Sequence, residues 1–173
     1  GVLDDAGAER LIAAAKKHNV PIIADPKLTG LHRTQGVDWV LFQSKGLELM
    51  RRRLGATTGA EAAAMLLESN DWKHLLILEE QDGVTIHSGN EDTVHVQCML
   101  EEIRQMIGLI DAAAVAVATA ITLGLSVEET AQLANAASEC ILIADRTDRF
   151  VLRLDDMVNR IGEIAWSLQV SKR

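Results

Sequence analysis

The stretch from Cys98 to Gly124, CMLEEIRQMIGLIDAAAVAVATAITLG, decides how the rest of this chain is arranged. Its second half, residues 112–123, is almost wholly apolar. In its first half, apolar residues recur at helical spacing opposite a charged face; they are Met99, Ile103, Met106, Ile107 and Ile110. This pattern predicts one long helix that begins near Met99 and enters a buried layer.

Short apolar runs elsewhere in the chain predict the strands of a sheet. Three continuous runs are typical of strands buried on both faces, and they lie at Val20–Ala24, Trp39–Phe42 and Leu75–Leu78. Two further segments, Val84–His87 and Thr93–Gln97, are separated by the turn residues Ser88-Gly89-Asn90 and predict an antiparallel hairpin. A short strand is also predicted at Phe150–Leu152.

Helices are predicted on either side of these strands. Capping residues, basic last turns and apolar stripes place them at Leu3–His18, Gly46–Leu54, Gly59–Ser69, Ser126–Ala144 and Asp155–Val170. The alternation of helices and strands predicts a single α/β domain over residues 1–173, with a layered, Rossmann-like and mostly parallel sheet. An edge hairpin and a helical C-terminal part complete the predicted fold.

Composition limits the classes of partner. The chain has 173 residues, a net charge of −8 and 3% aromatic residues, which argues against nucleic acid or an anionic membrane as a partner. Cys98 and Cys140 are too few for a disulfide framework, and the acidic start lacks a signal peptide. The apolar run 112–123 is too short to span a bilayer. We therefore expect a soluble, cytoplasmic protein.

Isolated motifs give little chemistry. The cluster Arg51-Arg52-Arg53 is typical of the exposed end of a helix. His87 and His95 could face each other across the hairpin near acidic residues and bind zinc, but solvated strand histidines are the preferred interpretation. The chain contains no G-x-S-x-G elbow, no G-x-G-x-x-G turn and no Walker loop.

Several segments, taken in order, resemble one family. VPIIADPK at Val20–Lys27, the turn at Gln81-Asp82-Gly83 and LANAAS at Leu133–Ser138 are similar to segments of the C-terminal half of ribokinase-like (PfkB) sugar kinases. Within that family the resemblance is to the heptose-phosphate kinase domain of the bifunctional enzyme of lipopolysaccharide precursor synthesis. It covers roughly residues 1–151, and it implies a ribokinase-like fold with ATP and magnesium as cofactors.

The resemblance also implies site residues. The family signature D-T-G-A-G-D matches Met106–Asp111, where Gly108 and Asp111 are retained. Asp111 is then the general base towards the sugar hydroxyl, and Gly108 and Asn135 lie beside the nucleotide. The family's Asn-x-x-Glu motif is absent from Gln43–Glu48, and the N-terminal half with the sugar-binding strands has no counterpart.

Two hypotheses follow. The first is a non-catalytic scaffold, engineered or degenerate, without cofactor, that self-associates or binds a protein through the stripe Met99, Ile103, Met106, Ile107 and Ile110. The alternative is an ATP-dependent kinase fragment for a heptose-phosphate-like sugar, active only with a complementary N-terminal half. The predicted long helix favours the scaffold. In the family, free N–H groups at the glycine-rich turn of the signature bind the phosphoryl group, whereas in a continuous helix the N–H of Asp111 would bond the carbonyl of Ile107.

Overall fold

The computed structural model describes residues 3–89, 92–145, 152–164 and 168–171. These residues form two compact units. The first comprises residues 1–76 and 87–91, and the second comprises residues 77–86 and 92–173. The boundaries between the units fall inside two strands. The prediction of a single domain therefore remains open.

The first unit carries the helices and strands of the N-terminal part of the chain. Its elements are α1 (Asp5–Lys17), β1 (Ile23–Ala24), a 3-10 segment (Leu28–Thr34), β2 (Trp39–Gln43), α2 (Ser44–Leu54), α3 (Gly59–Asn70) and the first residues of β3 (His74–Leu78). Local signals explain the helix ends. The side chain of Asp4 caps α1 by accepting from the N–H of Gly7 at 2.7 Å, and Thr58 caps α3 in the same way.

Asp38 joins three segments of the first unit. Its carboxylate accepts from the N–H of Ile22 at 2.8 Å and from Lys73 Nζ at 2.5 Å, and its carbonyl accepts from the N–H of His74 at 2.9 Å. Ile22 precedes β1, Asp38 precedes β2, and Lys73 precedes β3. The carboxylate and the carbonyl of this one residue therefore connect the segments at the starts of three strands.

Strand β1 differs from its prediction. It contains two residues rather than five, and Ile23 and Ala24 pair in parallel with Trp39 and Val40. Both residues are half-buried, and Val20 is 54% exposed. β2 and β3, by contrast, are buried along almost their whole length, as predicted.

The second unit contains the remaining elements. They are the rest of β3, β4 (Val84–Ser88), β5 (Thr93–Val96), α4 (Leu109–Leu123), α5 (Val127–Leu142), α6 (Leu154–Ile164) and β6 (Leu168–Ser171). β4 and β5 are antiparallel, which confirms the predicted hairpin. The capping box of α5 is also confirmed, because Ser126 and Glu129 each bond the other's backbone N–H.

The predicted C-terminal helix Asp155–Val170 is wrong in its second part. α6 occupies Leu154–Ile164, whereas Leu168–Ser171 form β6, which pairs antiparallel with β5. In that pairing Val94 lies opposite Val170 and Val96 opposite Leu168, so cross-strand apolar contacts outweigh helical spacing. Of the strand predicted at Phe150–Leu152, the first two residues lie outside the described residues.

The six strands are hydrogen-bonded in the order β1-β2-β3-β4-β5-β6, and the sheet is mixed. This is the predicted α/β class, but the hairpin β4–β5 does not form an edge of the sheet, because β6 pairs with the outer side of β5. Within the described residues, no helix has the length and apolar character needed to cross a membrane.

Candidate functional site

The segment that precedes α4 is not helical. Residues 102–106 have no regular structure, and α4 begins only at Leu109, so the prediction of a helix from Met99 is wrong. The backbone N–H groups of the segment are bound by distant acceptors instead. Met99 N donates to Glu139 Oε1 at 2.7 Å, and Arg104 N donates to the carbonyl of Leu142 at 2.8 Å. These long-range bonds replace the bonds that a helix would make.

Gly108 sets the start of α4. It adopts a left-handed conformation with φ +85°, which favours glycine, and a Cβ added there would meet nothing within 4 Å. Its carbonyl accepts the first intrahelical bond, from Ala112 N at 2.9 Å. Helix geometry then leaves the N–H groups of Ile110 and Asp111 without an intrahelical acceptor, and Gly108 offers no side-chain cap.

Asp111 lies in the first turn of α4 and is exposed. A carboxylate there is stabilised by the positive end of the helix dipole. The opposite side of α4 is held in the core by small residues, among them Ala113, Ala116 and Ala120. The buried alanine face therefore fixes the helix, while the side chain of Asp111 in its first turn is exposed. The predicted helix would have bonded Asp111 N to the carbonyl of Ile107. Because α4 begins at Leu109, this bond does not form.

The five-residue apolar stripe does not form the predicted helix face, because only Ile110 lies in α4. Ile107 is 83% exposed and Met99 is 41% exposed, whereas Ile103, Met106 and Ile110 are half-buried. A role for these residues in an interface stays a prediction. The face that would carry it is irregular.

Asn135 lies on α5 and is fully buried. Its side-chain amide donates to Glu139 Oε1 at 3.1 Å and to the carbonyl of Gln97 at 3.4 Å. Glu139 was not singled out from the sequence, yet its carboxylate has no exposed surface and is paired with Arg160 of α6. The sequence did contain a signal for a buried carboxylate, because Glu139 is the one charged residue in the run ANAASECIL at positions 134–142.

Both cysteines are buried free thiols of the second unit. Burial raises the pKa of Cys98 to about 11, and the nearby carboxylate of Glu139 adds to the effect. Burial also raises the pKa of Cys140. Thiols that stay protonated are poor nucleophiles, so these residues act as core side chains.

The hairpin histidines do not lie directly opposite each other. The strand register places His95 opposite Thr85, and His95 Nδ1 lies 2.9 Å from Thr85 Oγ1. Glu79 Oε2 accepts from the same hydroxyl at 3.0 Å. No group of three or more metal-binding side chains occurs in the part of the chain that the structure describes.

The turn between β3 and β4 is conformationally demanding. Gly83 has φ +103°, and a Cβ there would collide with the carbonyl oxygen of Val96. Glu80, in the same turn, has φ +54°, which is a costly conformation for a residue with a side chain. Glu80 and Gly83 therefore both have backbone conformations that favour glycine, but only Gly83 is a glycine.

Polar side chains follow or end strands β1 and β2 of the first unit. Asp25 and Lys27 follow β1 and form an exposed ion pair at 3.6 Å. Gln43 ends β2 and is the N-cap of α2 without a side-chain cap bond. Glu48, further along α2, is paired with Arg51 and Arg52, and their hydrogen bonds lower its pKa to about 2.

Comparison with known proteins assigns the chain to a family. A sequence profile of the pfkB family carbohydrate kinases matches residues 1–147. The chain belongs to the PfkB family of carbohydrate kinases. The match ends before α6, so helix α6 and strand β6 lie outside it.

Curated relatives agree with the family. The bifunctional protein HldE of Trichlorobacter lovleyi is 26% identical over 141 residues, which cover 80% of this chain and 28% of that protein. HldE of Haemophilus influenzae strain Rd is 27% identical over 143 residues, which cover 82% of this chain and 30% of that protein. The chain therefore spans under a third of the length of these PfkB relatives.

Solved structures share the fold. Phosphofructokinase-2 from Escherichia coli, in complex with substrates and products, has a TM-score of 0.75 at 18% identity, covering 94% of this chain and 53% of that one. Ribokinase from Thermotoga maritima has a TM-score of 0.70 at 20% identity, covering 87% and 52%. The ribokinase-like fold expected from the resemblance is confirmed.

Proposed function

We propose that this chain supplies the phosphoryl-binding turn and the general base of an ATP-dependent carbohydrate kinase. The observation that carries the proposal is the start of α4. Gly108 adopts a left-handed conformation directly before the helix, and the exposed Asp111 follows three residues later. These two residues occupy the positions that the family signature assigns to its anion-binding glycine and its base.

The turn at Gly108 is suited to bind a phosphoryl group. The N–H groups at the start of α4 lack intrahelical acceptors, and the helix dipole adds a positive potential at the same place. Backbone donors fixed in this way stabilise the negative charge that develops during phosphoryl transfer. The side chains of Leu109 and Ile110 replace small residues of the signature, so the turn accepts a phosphate only along its backbone side.

Asp111 is proposed to take the proton of the sugar hydroxyl. As this O–H bond breaks, the sugar oxygen forms a bond to the γ-phosphorus of ATP, the bond from that phosphorus to the β-γ bridging oxygen breaks, and ADP leaves. The carboxylate is exposed, so a substrate can approach it. The acceptor is proposed to be a heptose-phosphate-like sugar, in line with the resemblance to heptose-phosphate kinases.

The residues present do not build a magnesium site of their own. The described part of the chain has no metal-binding cluster, and the family's Asn-x-x-Glu motif is absent from Gln43–Glu48. We therefore assign no step to a protein-bound metal ion. Because the chain spans about half of the kinases of known structure, the proposed turnover requires the remaining half of the fold.

A second candidate is a non-catalytic family member that binds protein or a second copy of itself. The exposure of Ile107, at 83%, favours it, since a large apolar side chain beside an anion site is an unusual cost. Light scattering after size exclusion tests self-association. A monomer that is unchanged by Ile107→Glu contradicts the self-associating form of this candidate.

Titration calorimetry with magnesium ATP tests the kinase proposal, and Gly124 provides a matched control. Gly108 and Gly124 are both left-handed glycines at ends of α4, and a Cβ at either meets nothing within 4 Å. Gly108→Ala and Gly124→Ala should each cost about 1 kcal/mol of stability, because both force a Cβ into the left-handed region. Only Gly108→Ala should weaken ATP binding, by at least tenfold.

Asp111→Asn separates binding from chemistry. It should keep ATP affinity, because it removes negative charge beside the phosphate, and it should abolish phosphoryl transfer when the complementary half is supplied. Absence of saturable ATP binding by the unmodified chain contradicts the kinase proposal. Equal weakening by both glycine variants contradicts the assignment of the turn.

A further inference from the structure

Glu139 is a charged side chain in the core of the second unit. Its side chain is 0% exposed and lies on α5, and two of the groups that it binds, Met99 and Arg160, are distant in the sequence. Oε1 accepts from Met99 N at 2.7 Å and from Asn135 Nδ2 at 3.1 Å, and Oε2 accepts from Arg160 Nε. A buried carboxylate is tolerated only when it is paired and hydrogen-bonded in this way.

The bond to Met99 makes Glu139 an anchor of the segment that leads to Gly108. The segment is attached to α5 at two places: at Met99 by this side chain, and at Arg104 by the carbonyl of Leu142. Between Met99 and Gly108 the chain has no helix or strand of its own. Its course into the turn at Gly108 therefore depends on these attachments.

The cation that compensates Glu139 comes from outside the family match. Arg160 lies on α6, whereas the match ends at residue 147. The guanidinium is largely buried, with 18% of the side chain exposed, and its NH1 also donates to the exposed Glu163 at 2.6 Å. If α6 leaves its place, Glu139 becomes a buried charge without a cation, and hydrating it disturbs the bond to Met99.

We propose that Glu139 is a positioning residue for the phosphoryl-binding turn, and that Arg160 of α6 holds it in the state that orders residues 99–108. The C-terminal helix thereby controls a turn to which it contributes no residue. The functional consequence rests on the kinase proposal above. The coupling between α6 and residues 99–108 does not.

Amide hydrogen exchange, followed by mass spectrometry on the full chain, tests the coupling without any ligand. Arg160→Met should accelerate exchange at residues 99–106 by at least tenfold, while residues 59–70 of α3 exchange as before and report that the chain is folded. Glu163→Gln, which removes only the exposed partner of Arg160, is the matched control and should leave the pattern unchanged.

The double variant Glu139→Gln/Arg160→Met distinguishes positioning by charge from simple packing of α6. It removes the unpaired carboxylate while keeping an acceptor for Met99 N, so protection of residues 99–106 should return towards that of the unmodified chain. Unchanged exchange in Arg160→Met, or a double variant no better protected than Arg160→Met, overturns the inference.

Magnesium ATP affinity is measured on the same variants. We expect Arg160→Met to weaken binding by at least fivefold and the double variant to recover it. If the unmodified chain binds no ATP, the kinase proposal fails while the exchange data still decide the coupling. If ATP binds equally to all variants despite altered exchange, the assigned positioning role is wrong and the kinase proposal survives.

Discussion

At the scale of single residues, Glu80 is the position where side chain and backbone disagree most clearly. Its φ of +54° lies in the region that glycine occupies without cost. Glu80→Gly should therefore raise the free energy of unfolding by up to about 1 kcal/mol. Urea denaturation measures the change.

Glu80→Ala is the control for this substitution, because it removes the carboxylate but keeps the Cβ. The difference between the Gly and Ala variants isolates the conformational term. A Gly variant no more stable than the Ala variant contradicts the strain at this turn.

Residues also mark the limit of prediction from sequence. Asp4, Thr58 and Ser126 act within three residues of themselves, so their capping roles were readable from local sequence. Glu139 binds Met99 across 40 positions, and nothing local to either residue reports that bond. Gly108 and Asp111 were found through the family signature, but the left-handed conformation of Gly108 was not.

At the scale of elements, Asp38 ties together the starts of β1, β2 and β3. Burial of its carboxylate raises the pKa, but hydrogen bonds from Lys73 and from the N–H of Ile22 outweigh burial and lower it. A carboxyl with a lowered pKa in the folded state adds stability above its unfolded pKa of about 3.9 and loses it as the pH falls through the folded value.

Asp38→Asn should accordingly destabilise the protein by about 1–2 kcal/mol at pH 7, because the charged hydrogen bond to Lys73 is lost. The gap to the unmodified chain should close as the pH falls below about 4. Urea denaturation at pH 7 and pH 3 checks both. Asp5→Asn removes an exposed pair with Arg33 and should leave stability near the unmodified value. A gap that does not narrow between pH 7 and pH 3 contradicts the ionic origin.

Elements whose stability is local were predicted well, and two whose stability is not were predicted wrongly. Residues 99–107 have an amphipathic period, yet the N–H groups of Met99 and Arg104 are bound by Glu139 and Leu142, so the period does not produce a helix. Residues 168–170 were assigned to a helix, but they pair with the edge of β5 instead. In both cases a tertiary partner overrode local propensity.

At the scale of the whole molecule, the prediction of a single domain can be tested by calorimetry. Two boundaries between the compact units fall inside β3 and β4, so each of these strands is divided between both units. We expect one thermal transition whose calorimetric and van't Hoff enthalpies agree. Two resolved transitions, or a calorimetric enthalpy well above the van't Hoff value, contradict a single cooperative domain.

The α/β class was predictable for the whole chain because continuous apolar runs and their order restrict the possible arrangements strongly. The mixed character of the sheet was only partly predictable. Its hairpin was recognised from turn residues, whereas β6 was not. The extent of β1 could not be read from its five apolar residues, because burial of a strand depends on what covers it.

The threonines of α4 have a consequence for how water meets this surface. Thr119 and Thr122 are exposed, but their hydroxyls donate back to the carbonyls of Val115 and Ala118 at 2.8 Å. Helical spacing places Thr119 four residues from both Val115 and Leu123, which are themselves largely exposed. Thr119 and Thr122 count as polar in the composition, yet their hydroxyl donors are used within the helix. We therefore expect salting-out to begin at a lower salt concentration than the number of polar residues suggests.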